Sequence, residues 1–145
     1  MADITRVKAD VRGLDLIPQF YFRAKAAEEI EAGEAVYLDG SGDALLTDSD
    51  AAVSSVFVGI AIAGPDGKTT FAIGDMLDIQ WIGRCTGFTG MTPGALIYLS
   101  TTVGAIADAA SATPGDFNLA IGVSLTATIA LIYPQYAAAA VVAGE

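Results

Sequence analysis

The sequence predicts an all-β fold: a small β-barrel or sandwich built from two similar strand-turn-strand halves, with an extended N-terminal arm. Three observations predict it. Short apolar runs recur along the chain, divided by turns rich in Gly, Pro, Asp and Ser, a spacing that belongs to barrels and sandwiches. No window sustains a helical period, apart from one turn's worth at residues 24–32. The phrase "AGEAVYLDGSGDALLTDSDAA" at 32–52 returns in altered form as "PGALIYLSTTVGAIADAA" at 93–110.

The elements follow in order. Residues 1–18 are weakly patterned, close at Pro18 and read as an extended arm. "QFYFRAKA" is an aromatic strand, and "AAEEIEAGE" offers one helical turn that Gly33 stops. "EAVYL" is a strand, and "DGSGD" is a turn of residues that accept positive φ. "ALLTDSDAA" leads to the strand "VFVGIAIAG", and "PDG" at 65–67 turns the chain into "KTTFAI". Strand-like runs follow at "MLDIQWIG", "CTGFTG", "ALIYLS", "AIADAA", "NLAIGVSL" and "TIALIYPQ". The β-domain therefore spans 19–136, and residues 137–145 form a low-complexity, alanine-rich tail.

The repeated phrase has a register. A shift of 61 residues lays Gln19 on Gln80, Arg23 on Arg84, Gly33 on Gly94, Tyr37 on Tyr98, Leu38 on Leu99 and Ala44 on Ala105. A shift of 63 then lays "VFVGIAI" on "LAIGVSL", with Gly59 on Gly122. One unit used twice, over 19–79 and 80–136, accounts for this, each copy being unable to bury its apolar face alone. The plainer account is the strand-turn-strand grammar that any β-protein reuses. Alternation puts Val36 with Leu38, and Ile97 with Leu99, on one face, and turns Tyr37 and Tyr98 to the other.

A chain of 145 residues is expected to form one domain, or two very small ones sharing a core. Its charged fraction, 17%, falls below the usual value of about 25%, which means either a large core or surface hidden against partners, and the second is expected at this size. Histidine is absent, removing the commonest general base and metal ligand. Lys68 lies in a turn and no serine stands in a nucleophile elbow. Cys85, beside Arg84, is either a thiol activated by its neighbour or a small buried hydrophobe, and the second is expected. Glu28, Glu29, Glu31 and Glu34 read as paired carboxylates or, more simply, as a solvated acidic face. Asp39, Ser41, Asp43 and Asp50 mimic positions 1, 3, 5 and 12 of a calcium loop, but its glycine and glutamate are missing. A β-turn is expected instead. Neither an enzyme, nor a cofactor, nor a metal site is predicted.

The net charge is −10, yet five of the seven basic residues lie in the first 25: Arg6, Lys8, Arg12, Arg23 and Lys25. The acidic remainder argues against a nucleic-acid partner, which demands concentrated positive charge. The basic segment either grips an acidic partner or is a solvated terminus. "MADITRVKADVRG" carries no secretory signal, and "FNLAIGVSLTATIALIYP" at 117–134 fits buried strands better than a membrane span.

Residues Ala26–Leu38, "AAEEIEAGEAVYL", with "ALLTDSDA" at 44–51 and "VFVGIA" at 56–61, resemble the tailed-phage capsid decoration proteins of the cement type. "GMTPGALIYL" at 90–99 and "AIGV" at 120–123 are similar to the same family's second half. The resemblance covers about residues 20–133, in patterned small and apolar positions. It implies a homotrimer on the outer surface of the virion head, whose partner is the major capsid protein and which clamps neighbouring capsid subunits. Arg6, Lys8, Arg12, Arg23 and Lys25 are the residues expected to contact that partner. Two alternatives are a phage fibre module that binds host surfaces and a carbohydrate-binding β-module, for which Trp81, Phe20, Tyr21 and Phe22 would form an aromatic row.

Overall fold

The computed structural model describes residues 3–14, 20–48, 56–116 and 118–133. The all-β expectation holds: fifteen short strands and one 3₁₀ turn, Lys8–Asp10, make up the regular structure among these residues. Every pair of named strands is antiparallel. None of the sheets closes into a barrel, the first of the two architectures expected. Residues 26–34 form no helical turn, because Ile30 is drawn into a ladder opposite Phe71.

The first sheet has five strands. They are β3 (Tyr21–Lys25), β5 (Ala35–Leu38), β6 (Ala44–Leu46), β7 (Gly59–Ala61) and β9 (Met76–Gln80), in the order β3-β9-β7-β5-β6. The second contains β10 (Gly83–Thr86), β12 (Leu96–Leu99), β13 (Ile106–Ala107), β14 (Ala120–Ser124) and β15 (Ala130–Ile132). Its order is β10-β15-β14-β12-β13, with β2 (Arg12–Gly13) added outside β10. Two ribbons complete the molecule: β1 (Thr5–Arg6) on β11 (Phe88–Thr89), and β4 (Ile30–Glu31) on β8 (Thr70–Phe71).

Strand register decides which side chains enter which core. In the five-stranded sheet, Phe22 opposes Ile79 and Ile79 opposes Ala61, so these share one face with Val36. Tyr21, Gln80, Ile60 and Ala35 share the other. The second face packs on the six-stranded sheet, and Ala35, Ile60, Ile97, Leu99, Ile121 and Ile132 meet there in the main core. Each is at most 1% exposed. The first face builds a smaller core of Ala24, Val36, Ala61 and Ile79 under Ile30 and Phe71 of the β4–β8 ribbon.

The turns behave as their chemistry requires. Asp39 closes the β5–β6 hairpin by accepting from the amides of Ser41 (2.8 Å) and Asp43 (3.0 Å). In the "PDG" turn Gly67 adopts φ +82° and its amide donates to the Gly64 carbonyl at 3.0 Å. Val36, Ile97 and Leu99 are buried as alternation predicts, but Leu38 is 37% exposed. Its strand face is the expected one; nothing covers that end of it among the described residues.

The expected arm, residues 1–18, is described over 3–14, and that part is fastened to the body. Ile4 and Val11 are 7% and 0% exposed and belong to the main core. The Ile4 amide donates to Ile106 at 2.8 Å, the Val7 amide to Gly87 at 2.7 Å and the Leu14 amide to Arg84 at 2.9 Å. Two apolar side chains seven residues apart, Ile4 and Val11, are enough to seat a segment whose mean composition reads as terminal. The tail, 137–145, lies outside the described residues.

Candidate functional site

The five expected contact residues are distributed over the surface, each beside a carboxylate of the same chain. Arg6 lies across the 33–34 turn: its Nε donates to the Ala32 carbonyl at 3.0 Å, and its guanidinium stands 3.8 Å from Glu31 and 4.0 Å from Glu34. Gly33, at φ +95°, makes room for this, since a Cβ there would meet Arg6 Cδ at 2.1 Å. Lys8 reaches the same Glu31 at 2.7 Å. Arg12 sits 3.5 Å from Asp10, Arg23 donates across β3–β9 to Asp78 at 2.9 Å, and Lys25 stands 3.8 Å from Asp43. Only Arg6 and Lys8 come together. Ordinary spacing along the chain gave no sign of these partners, which are brought in by the strand pairing.

The electrostatics follow from these contacts. Hydrogen bonding to Lys8 holds the Glu31 carboxyl below its usual range, against a smaller effect of burial. Burial pushes Glu34 up, although the Glu31 amide, 2.6 Å away, works against the shift. The Arg23 guanidinium is raised by its hydrogen bond to Asp78. The side chains of Lys8, Arg12, Arg23 and Lys25 are exposed, and pairs of that kind add little to stability, whereas Arg6 and Glu34 are mostly buried.

Groups with chemical potential are held in structural roles. Asp39 is occupied by backbone amides, and Asp50 lies outside the described residues. Among the described residues, no three His, Cys, Asp or Glu side chains converge as metal ligands. Glu28 accepts from the Leu46 amide at 3.4 Å, and Glu34 from that of Glu31. Cys85 is fully buried on β10, and burial pushes its thiol up to about 12, so the thiolate that reacts is scarce at neutral pH. Native protein is therefore expected to resist thiol-labelling reagents and to react stoichiometrically in denaturant. Rapid labelling of the folded chain would show that Cys85 is accessible after all.

The aromatic row does not form. Tyr21 packs against the main core with its ring over Gly13, where an added Cβ would lie 1.8 Å from the hydroxyl. Phe20 is half-buried beside it in sequence. Phe22 and Trp81 do come together, with Leu38 and Val58, around a shallow apolar groove of about 310 Å³ on the outer face of the five-stranded sheet. Leu38 was legible in sequence only as an alternating strand residue and Val58 was not singled out; neither carries a signal that its face is open.

In the segment 117–134, the described residues form β14 and β15, and no described helix is long and apolar enough to cross a membrane. No family model matches the chain, and no curated protein sequence matches it.

Proposed function

We propose that this protein is a structural component of a tailed-phage head: a capsid decoration, or cement, protein. In this reading it is a homotrimer on the outer capsid surface that clamps neighbouring subunits of the major capsid protein. Three linked copies of a weak contact gain avidity without new chemistry. A low charged fraction and abundant apolar side chains suit surfaces buried between subunits.

The observation that carries the reading is that the two phrases behind the resemblance occupy matching positions in two five-stranded units. The strand orders β3-β9-β7-β5-β6 and β10-β15-β14-β12-β13 correspond strand for strand. Ala35 opposes Ile60 and Val36 opposes Gly59; at shifts of 61 and 63, Leu96 opposes Val123 and Ile97 opposes Gly122. The turn bonds repeat too: Gly33 donates to Ala61 at 2.8 Å and Gly94 to Ser124 at 2.7 Å. Ordinary strand grammar does not reproduce register to the residue. This repeated register supports reading the chain as one unit used twice.

The test is co-sedimentation with heads of the phage that encodes the chain, stripped of their decoration. Saturable binding at a fixed ratio to the major capsid protein, with heads that resist heat better, is the expected result. Heads that leave the protein in the supernatant would overturn it. Binding to a glycan array instead would move the chain to the fibre or host-surface class.

A further inference from the structure

The two units are not covered alike, and the difference points to a partner. In the second unit, Leu99, Ile121 and Ile132 are 1%, 0% and 0% exposed. They lie in the main core, where residues of the first unit, Ala35, Ile60 and Ile62, close over the same cluster. The positions of the first unit that match Leu99 and Ile121 at shifts of 61 and 63 are Leu38 and Val58. Ile132 lies one residue beyond Leu131, the neighbour of Val123. Its match is Trp81, one beyond Gln80, the neighbour of Ile60. Leu38, Val58 and Trp81, with Phe22, are the residues that line the open groove.

The covering surface is duplicated in the same way. Ala35, Ile60 and Ile62 are 0%, 0% and 8% exposed. Their matches in the second unit are Leu96, Val123 and Leu125, on the outer face of the six-stranded sheet. Leu96 and Leu125 are 44% and 42% exposed, and Val123 is half-buried. The chain thus contains one complete junction between units; on the first unit the matching face is closed by the β4–β8 ribbon over Val36, Ala61 and Ile79, and its Leu38–Val58–Trp81 end stays open.

We propose that a second copy of this chain covers that open end. The Leu96–Val123–Leu125 face of one copy packs into the Phe22–Leu38–Val58–Trp81 groove of the next, using between chains the part of the internal contact that the β4–β8 ribbon leaves open. Such an interface is head-to-tail, joining two different patches, and it closes into a ring when the rotation per step permits. The apolar character of both patches fits a buried contact in a chain whose net charge is −10 and whose bare surfaces repel one another. This rests on the two-unit reading above, but not on the capsid.

Two substitutions at exposed positions test it. Leu96→Glu spoils the face and Leu38→Glu spoils the groove, while Ile73→Glu, at a residue 74% exposed and outside both patches, serves as the control. Circular dichroism establishes that each variant is folded, and light scattering gives its mass. The wild-type chain and the control are expected to form a closed oligomer of the same mass, and either variant alone to be monomeric. An equal mixture of the two variants is expected to yield a one-to-one pair, because each retains the patch that the other lacks. A monomeric wild type, variants of unchanged mass, or a mixture that stays monomeric would each overturn the proposal. Capsid co-sedimentation is scored separately, so a ring that ignores heads would sink the decoration role and leave this interface standing.

Discussion

Gly122→Ala is expected to leave little folded protein. A Cβ at Gly122 would stand 2.2 Å from the carbonyl oxygen of Leu131 and 3.1 Å from its carbonyl carbon. These are backbone atoms of the adjoining strand β15, so no rotamer change relieves the overlap. Strand β15 would have to move away, breaking the register in which Gly122 opposes Ile132 and Ser124 opposes Ala130. The expected loss is about 4 kcal/mol or more, which is comparable with the whole stability of a domain this size. Gly59→Ala repeats the collision in the first unit, at 2.6 Å from the Gln80 carbonyl oxygen. Gly115→Ala is the control: its φ of +95° disfavours a side chain, but no atom lies within 4 Å, so it costs only about 1 kcal/mol. Urea denaturation of the three variants checks the ranking. A Gly122→Ala protein as stable as wild type would mean that the strands do not approach this closely.

Removing residues 1–14 is expected to have the second largest effect, and it acts on the fold. Truncation takes Ile4 and Val11 out of the main core and strips β2 from the edge of β10. Each lost side chain leaves a cavity, and such losses run to about 2–5 kcal/mol apiece. The Val11 backbone is also packed tightly: a Cβ on Gly87, at φ +104°, would meet the Val11 nitrogen at 2.6 Å. The truncated chain should therefore lose its cooperative thermal transition. Charge reversal at Lys8 or Arg12 should preserve it, because exposed pairs contribute so little. A truncated protein that melts cooperatively near the wild-type temperature would show the segment to be dispensable. For the same reason, only point variants of the basic residues can test their role in partner binding.

The sequence disclosed what is local and periodic. Ala35–Leu38 and Leu96–Leu99 were legible as strands because alternation and a preceding glycine mark them, and they lie 61 residues apart, as the repeated phrase requires. The "PDG" and "DGSGD" turns were legible from their chemistry. The seating of residues 3–14 was not, because strands of two residues carry no period. The ion pairs were equally invisible: Arg23 meets Asp78, 55 residues away, only because β3 lies on β9. Leu38 and Leu99 look interchangeable in sequence, yet they differ in exposure through tertiary cover that no local pattern encodes.

The placement of β3 has one more consequence. Among the described residues this five-residue strand pairs with β9 on one side only, which makes it the longest free edge in the molecule. An unpaired edge is a template for indiscriminate strand addition and for aggregation. The other sheet ends, β2, β6 and β13, are two or three residues long, too short to recruit a strand. On β3 the protection has to come from chemistry, and Arg23 and Lys25, both exposed, supply it. A neighbouring copy of the same edge would have to desolvate four cations together with the carboxylates, Asp78 and Asp43, that they already hold. Neutral residues at these two positions are expected to leave the monomer's fold alone and to make the chain more prone to aggregate on concentration.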